Sequence, residues 1–376
     1  MTAAGTGLTA VALSGGVDSA VAAARLVREG RPVVGITLQT WPSQRSPEGE
    51  RFDRCCSPAA AEDARRVAEE LDIPYYLLNY EAEFDREVVD YFAEAYLAGE
   101  TPNPCVVCNA RLKFGSLLVR AQGWGATSVA TGHYARVEQD GTSGRWLLRR
   151  GRDPRKDQSY FLYSLTQQQL AAAVFPVGHL CKDETRRLAR EWGLPVADKP
   201  DSQEICFVGR DYRSYLRQRR PEAGLPGIIR DLGGAIRGVH QGVAFYTVGQ
   251  RRGLQIGSSS PLYVIDLDPA RNEVIVGPEQ RLLVSRVELT ALNLIAAATL
   301  DGPRRVLAKV RYAQAAVPAT LAPLAGGDAS LTFDMPLRAP APGQAAVCYA
   351  LEEPDLVVGG GTIRRPARGE AERSAS

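Results

Sequence analysis

The sequence predicts an α/β protein with an N-terminal parallel sheet, a small central domain and a C-terminal β-barrel. Three observations carry that reading. Short β-branched runs alternate with helical patterns as far as about residue 200, the rhythm of strand–helix–strand units that build a parallel sheet covered by helices. One of these runs ends in Ser14-Gly15-Gly16, and Asp18-Ser19 then opens an Ala-rich helix. Beyond about residue 210 Gly and Pro become frequent, helices are expected to disappear, and short strands separated by turns take over.

Leu8 to Leu13, Val33 to Leu38, Tyr75 to Asn79 and Ser128 to Thr131 read as strands, with helical patterns at 18–29, 58–71, 84–98 and 110–123. The second helix has a clean start. Ser57 stands as N-cap and Pro58 at the first helical position, where its missing N–H costs no hydrogen bond. Ligands of such sheets collect beyond the C-terminal ends of the strands. Gly132-His133, directly after the fourth strand, is therefore expected on the same edge as Ser14–Ser19. Further on, Tyr263–Leu267 and Glu273–Val276 read as a hairpin around the turn Asp268-Pro-Ala-Arg-Asn272. Strands at 305–312, 317–321, 329–333, 345–350 and 361–364 then suit a small barrel, which hides strand edges. The expected domains are 1–209, 210–284 and 285–365, followed by a disordered polar tail at 366–376.

A chain of 376 residues exceeds one typical core. No apolar run approaches the length of a membrane span, and no secretion signal precedes the first strand, so a cytoplasmic protein without a membrane partner is expected. Lys and Arg number 45 against 43 Asp and Glu, a balance that does not mark a general nucleic-acid binder. The basic residues are instead local. One stretch holds Arg145, Arg149, Arg150, Arg152, Arg155 and Lys156; others hold Arg210, Arg213, Arg217, Arg219 and Arg220, and Arg304, Arg305, Lys309 and Arg311. Such stripes fit a bounded polyanionic partner. The cysteines number seven, and an odd count without a secretion signal argues against a disulfide framework. Cys105-x-x-Cys108 points instead to redox or metal chemistry, although no second C-x-x-C completes a zinc site.

The loop Ser14-Gly-Gly-Val-Asp-Ser19 is built for anions. Its glycines let the backbone approach oxygen atoms, and unpaired N–H groups of the helix start point at them. Ser14 and Ser19 add hydroxyl donors, and Asp18 suits a magnesium ion riding on phosphates. No G-x-x-x-x-G-K-[ST] is present, which excludes a Walker-type loop. The loop resembles that of the ATP pyrophosphatase (PP-loop) superfamily, which cleaves ATP to AMP and pyrophosphate to activate an oxygen by adenylation.

Further motifs narrow the resemblance. They are Thr101-Pro-Asn-Pro-Cys-Val-Val-Cys-Asn109 with Lys113-Phe114, Ala130-Thr-Gly-His-Tyr134, Lys156-Asp-Gln-Ser-Tyr-Phe-Leu-Tyr163 and Asp201-Ser-Gln-Glu-Ile-Cys-Phe207. Gly249-Gln-Arg-Arg-Gly-Leu254, Val310-Arg-Tyr312 and Pro342-Gly-Gln344 follow. Together they resemble the tRNA-specific 2-thiouridylase family over nearly the whole chain. The resemblance implies ATP and magnesium as cosubstrates, a tRNA with a wobble uridine as substrate, and a cysteine desulfurase or sulfur-relay protein as persulfide donor. It implies nucleotide contacts from Ala12, Leu13, Ser14, Gly15, Gly16, Val17, Asp18, Ser19, Leu38 and Gly132. It implies tRNA contacts from Asn103, His133, Lys156, Asp157, Gln158, Arg311, Tyr312 and Gln344.

Sulfur for oxygen at carbon 2 of uracil requires expulsion of a poor leaving group, and adenylation turns it into AMP. By the resemblance Cys206 carries the persulfide, and Cys108 is the catalytic partner that ends in a transient disulfide with it. Both thiols react as thiolates, which Lys113, Lys156 or a helix N-terminus would favour. Many family members carry Asn-Pro-Asp where this chain has Asn103-Pro104-Cys105. That departure opens a second reading, with Cys105, Cys108 and Cys206 as three ligands of a 4Fe–4S cluster whose fourth iron binds sulfide. Cys181 and Cys348 read as structural; Cys55-Cys56 suits either sulfur reception at the surface or simple packing. The rival functions are a PP-loop amide ligase, which needs no remote cysteine, and a tRNA-binding module without ATP turnover.

Overall fold

The computed structural model describes residues 7–40, 57–201, 205–208 and 211–366. The described residues form two compact units. One comprises those of Met1–Val88 and Cys105–Phe207 with the short piece Asp355–Val357; the other comprises those of Val89–Pro104, Val208–Pro354 and Val358–Ser376. Sequence order and structural grouping therefore part at Val89–Pro104, which lies within the first long stretch yet belongs to the second unit. Among the described residues no helix is long and apolar enough to cross a membrane.

In the first unit, β1 (Leu8–Ala12), β2 (Val33–Gln39), β3 (Tyr75–Asn79) and β4 (Ala126–Ala130) are parallel neighbours in the order β3-β2-β1-β4. The two-residue strand Ala173–Val174 adds the edge beside β4. Strand order reverses between β1 and β4, the switch point where such sheets open a ligand crevice at their C-terminal edge. The run Ala20–Ala24 of helix α1 (Val17–Arg28) is buried together with Val11 and Leu13, so small side chains bring the helix close to the sheet. Helix α2 (Pro58–Glu70) starts as expected, the Ser57 hydroxyl accepting from the Ala60 N–H at 3.1 Å.

The two longer helical patterns are segmented rather than continuous. Residues 81–97 run as Glu81–Phe84, a π-helical turn Asp85–Val89 and Asp90–Leu97. The other runs as Pro104–Val107, a π-helical segment Cys108–Ser116 and Leu117–Gly123. Gly115 fits that wider turn, since a Cβ there would stand 2.9 Å from the Ala110 carbonyl oxygen. The sequence reading missed the antiparallel pair Ala135–Gln139 and Trp146–Arg150, and the helices Gln167–Ala172 and Lys182–Glu191.

The second unit holds a four-stranded mixed sheet built from Gly227–Asp231, Ile236–His240, Tyr263–Asp268 and Glu273–Gly277. The last two form the expected hairpin, paired from Tyr263 opposite Gly277 to Asp268 opposite Glu273. The expectation that helices cease after about residue 210 is overturned by Tyr212–Arg219. Its Asp211 N-cap accepts from the N–H groups of Arg213 and Ser214, and Leu216 alone is buried, so charge masked the periodicity.

Six strands from Leu283 to Ile363 close into a barrel. Leu289, Val306, Leu321, Leu331 and Cys348 fill its core, and burial pushes the Cys348 thiol up to about 12. The last strand, Val357–Ile363, is longer than the expected 361–364 because its glycines obscured it. They are required where it meets Leu283–Leu294: a Cβ at Gly361 would stand 2.8 Å from the Thr290 carbonyl oxygen. The expected disordered tail lies, beyond Pro366, outside the described residues.

Leu331→Ala, which empties part of the barrel core, is expected to cost about 3 kcal/mol in a urea unfolding titration. Thr332→Ser, on the partly exposed face of the same strand, is expected to leave the midpoint within error.

Candidate active site

The first unit gathers a crevice at the C-terminal ends of β1, β2 and β4. Ala12 and Leu13 lead out of β1 into Ser14–Ser19, Leu38 is the penultimate residue of β2, and Gly132 follows β4. The buried Thr37 hydroxyl donates to the Leu13 carbonyl at 2.7 Å, fixing where the chain leaves the sheet. Gly15 has φ +66, and a Cβ there would collide with the Ala60 carbonyl. Gly16 is the N-cap of α1 and offers no side-chain cap, so the helix start lacks an internal acceptor from that position. Ser14 and Ser19 hydroxyls stand 3.1 Å apart, and Ser19 donates to the Gly16 carbonyl at 3.0 Å. Gly132 crowds the same helix start, where a Cβ would lie 2.6 Å from the Ser19 amide nitrogen. Bare glycines, paired hydroxyls and an open helix N-terminus fit a polyphosphate.

A chain of ion pairs runs outward from this loop. The Lys182 ammonium, buried to 7 % exposure, donates to both Asp18 oxygens at 2.7 and 2.8 Å and meets Asp201 at 2.8 Å. Tyr134 donates its hydroxyl to Asp18 at 2.7 Å. Asp201 also receives Lys156 and Arg186, each at 2.7 Å. Burial would raise the Asp201 carboxyl, but the hydrogen bonds from Lys156 and Lys182 outweigh it and bring it down to about 2. Lys199 completes the ring, donating to the Gly15 carbonyl at 3.0 Å and to Asp63 at 2.6 Å.

None of Tyr134, Lys182, Arg186, Lys199 and Asp201 was singled out as a site residue from the sequence. Tyr134 and Asp201 sat unassigned inside recognised motifs. Lys182 carried a signal of its own, being a cation at the first position of a helix, where the dipole disfavours it unless carboxylates hold it.

Hydrogen bonds link the three cysteine-bearing and basic motifs pairwise. Asn109, next to Cys108, donates to the Phe161 carbonyl at 3.1 Å, and Gln169 donates to the Ala110 carbonyl at 2.8 Å. Lys156 joins the second motif to Asp201 at the start of the third. Cys105 is exposed, and Cys108 and Cys206 are half-buried. Among the described residues no three Cys, His, Asp or Glu side chains converge as metal ligands, so Cys105, Cys108 and Cys206 in this arrangement do not fit a 4Fe–4S cluster. A magnesium ion carried by a nucleotide finds Asp18 beside the phosphate loop, a carboxylate of the hard oxygen type it prefers. Cys181 is the N-cap of Lys182–Glu191, and Cys55-Cys56 lie outside the described residues.

The residues expected to meet tRNA fall on both units. On the first, His133 bonds through Nδ1 to the Thr131 hydroxyl at 2.7 Å, and burial, then the Lys113 charge, hold it well below the usual histidine range. Gln158 accepts from the Tyr134 N–H at 2.9 Å. Asp157 is buried and accepts from the N–H groups of Gly151 and Ser159 at 3.2 and 3.0 Å, so in this conformation it shapes the loop that presents Lys156. On the second, Arg311 donates to the Ala339 carbonyl, and the Lys309 ammonium lies 5.0 Å from the Tyr312 ring centre. Gln344 donates to the Thr101 carbonyl at 2.9 Å, while Thr101 donates to the Pro342 carbonyl at 2.8 Å. The barrel turn thereby holds the approach to Asn103, which stands on the same unit.

Residues 8–210 match the family described as tRNA methyl transferase HUP domain, 213–278 the tRNA methyl transferase PRC-barrel domain, and 284–363 the aminomethyltransferase beta-barrel domain. A tRNA-specific 2-thiouridylase MnmA of Moorella thermoacetica is 52 % identical over 364 residues, covering 95 % of this chain and 99 % of the relative. That of Symbiobacterium thermophilum is 48 % identical over 360 residues, covering 94 % and 91 %. A solved 4-thiouridine synthetase–RNA complex with bound ATP is similar at TM-score 0.32 and 19 % identity, covering 57 % of this chain and 51 % of that one.

Lys182→Met leaves Asp18 and Asp201 without their shared cation. It is expected to lower stability by roughly 2 kcal/mol in urea titration and to weaken ATP binding at least tenfold by calorimetry. The three histidines are all held below their usual range, His133 furthest. As pH falls below about 6.5, the unfolded chain takes up these protons first, so stability falls with pH at up to ~1.4 kcal/mol per unit and proton. Urea midpoints measured between pH 7 and pH 5 are expected to drop less for His133→Gln than for the parent.

Proposed function

The chain belongs to the tRNA-specific 2-thiouridylase family, and from that premise we propose that it converts a wobble uridine to 2-thiouridine by adenylation and persulfide transfer. The observation that carries this reading is the ion-pair chain from Asp18 through Lys182 to Asp201. It ties the nucleotide loop to the segment that leads into Cys206. The family description of residues 8–210 carries the words methyl transferase. A polyphosphate cradle joined by ion pairs to the Asp201–Cys206 motif suits ATP-driven sulfur transfer instead.

In the first step the carbon-2 oxygen of the uracil attacks the α-phosphorus of ATP and pyrophosphate leaves. Ser14–Ser19 hold the phosphates, Lys182 neutralises charge beside Asp18, and magnesium supplies Lewis-acid screening of the phosphate oxygens. Leu38 lies against the adenine, and Gly132 leaves room beside the α-phosphate. In the second step the terminal sulfur of a Cys206 persulfide attacks carbon 2, and AMP leaves with the former uracil oxygen. In the third, the Cys108 thiolate attacks the Cys206 sulfur, releasing the thiocarbonyl and forming a Cys108–Cys206 disulfide. An external thiol then reduces that disulfide, and a cysteine desulfurase or sulfur-relay protein reloads Cys206.

Residues 1–209 serve as the catalytic module in this reading, 210–284 as a small central domain and 285–365 as the barrel that grips the tRNA. Asn103 meets the extruded base, and Lys156, Asp157, Gln158, His133, Arg311, Tyr312 and Gln344 line the RNA path.

The test uses anaerobically purified protein, unmodified tRNA, ATP, magnesium and a persulfide source, with nucleoside mass spectrometry and an iron assay. Thiolation without iron, reduced at least 100-fold in Cys206→Ser and Cys108→Ser, is the expected result. Iron-dependent thiolation would instead assign Cys105, Cys108 and Cys206 to a cluster. AMP production without thiolation would assign the amide-ligase chemistry.

A further inference from the structure

The segment Gly249-Gln-Arg-Arg-Gly253 takes no part in the mechanism above, yet the second unit builds it with care. Gly249 and Gly253 have φ of +89 and +79, values that favour glycine and fold the segment into a tight projection. The Gly249 N–H donates to the Val264 carbonyl at 2.8 Å, and the Val264 N–H returns a bond to the Gln250 carbonyl at 2.9 Å. Gln250 then locks the loop from within. Its side-chain oxygen accepts from the Thr247 N–H at 3.2 Å, and its amide nitrogen donates to the Arg252 carbonyl at 2.9 Å.

This rigid loop holds up two adjacent guanidinium groups. Arg251 and Arg252 are exposed, and neither has an acidic partner among the described residues. Most arginines of this protein are treated otherwise: Arg219, Arg230, Arg237, Arg305 and Arg338 of the same unit each pair with a carboxylate. A further guanidinium borders each end of the loop. A side chain at Gly249 would stand 3.7 Å from Arg311 Nη2, and one at Gly253 would stand 3.9 Å from Arg213 Nη2. Arg213 lies over the Tyr212 and Tyr246 rings, 6.0 Å from each centre.

We infer that the Gly249–Gly253 loop, with Arg213 and Arg311 at its ends, is a binding surface for the phosphate backbone of the substrate RNA. The inference rests on the proposed tRNA substrate and adds to it a grip that reads no base. Four guanidiniums around one preformed loop match successive phosphates, whose oxygens they bind through paired N–H donors. Leu254 is buried, so the loop offers no apolar anchor of the kind that centres a protein–protein contact.

The experiment measures binding of unmodified full-length tRNA to the full chain across a sodium chloride series, with turnover and thermal unfolding measured in parallel. The double variant Arg251→Ala/Arg252→Ala is expected to bind tRNA about tenfold more weakly at moderate salt. The slope of log affinity against log salt should shrink by about 1.5, the loss of two phosphate contacts. Turnover at saturating tRNA and the unfolding midpoint should match the parent. Arg251→Lys/Arg252→Lys should recover most of the slope, because charge rather than shape sets it. An unchanged slope in the alanine variant overturns the inference, even if sulfur delivery from a donor protein then fell and assigned the arginines to an acidic protein surface. A parent that does not bind tRNA at all overturns the proposed function itself. A parent that binds and thiolates while the variant keeps its slope overturns only the role of this loop.

Discussion

One buried ammonium organises the first unit. Lys182 lies between Asp18, on the loop after the first strand, and Asp201, at the start of the segment that carries Cys206. With either carboxylate alone the charge count would balance locally; with both, the site holds a net negative pair that recruits Lys156 and Arg186. Buried charge of this sort adds little to stability compared with an apolar core of the same volume. Its value lies in what it fixes. A low-dielectric network with few alternative partners holds three distant pieces of chain in one arrangement.

The same network joins the loop after β1 to the segment that leads into Cys206. In the proposed reaction, phosphates in the Ser14–Ser19 loop would bring negative charge within reach of Lys182 and compete with Asp18 and Asp201 for one cation. Any shift of that ammonium changes how firmly Asp201 is held, leaving Lys156 and Arg186 to keep it. The π-helical segment Cys108–Ser116 is tied to the Lys156–Tyr163 motif through Asn109 and Phe161. Order in this part of the protein thus comes from polar contacts between motifs, whereas the barrel of the second unit rests on apolar packing.

The parts of the fold that were legible in the sequence are those in which local pattern and tertiary environment agree. The strands of the parallel sheet are short apolar runs ended by glycine or charge, and the Ser14–Ser19 turn states its own geometry. The helix Tyr212–Arg219 was hidden because only Leu216 faces a core and the rest is basic or polar. The strand Val357–Ile363 was foreshortened because its glycines, of which Gly359 and Gly361 are required by close approach to Leu283–Leu294, carry no strand propensity. The nucleotide loop residues were readable one by one. Lys182 and Asp201 were not, because their partners lie far away along the chain and only folding brings them together. Asp157 shows the complementary limit: a charged residue within a recognised motif turned out buried, its carboxylate spent on backbone N–H groups.

Gly343, with φ +84, turns the barrel chain so that its backbone lies against Glu100 and Thr101, where a Cβ would stand 2.8 Å from the Glu100 side chain. Because that short piece of chain belongs to the second unit and continues directly into Cys105, the first unit is not one uninterrupted stretch of chain. Exchanging the barrel for another would therefore remove the Pro342 and Gln344 contacts that hold Thr101, four residues before Cys105.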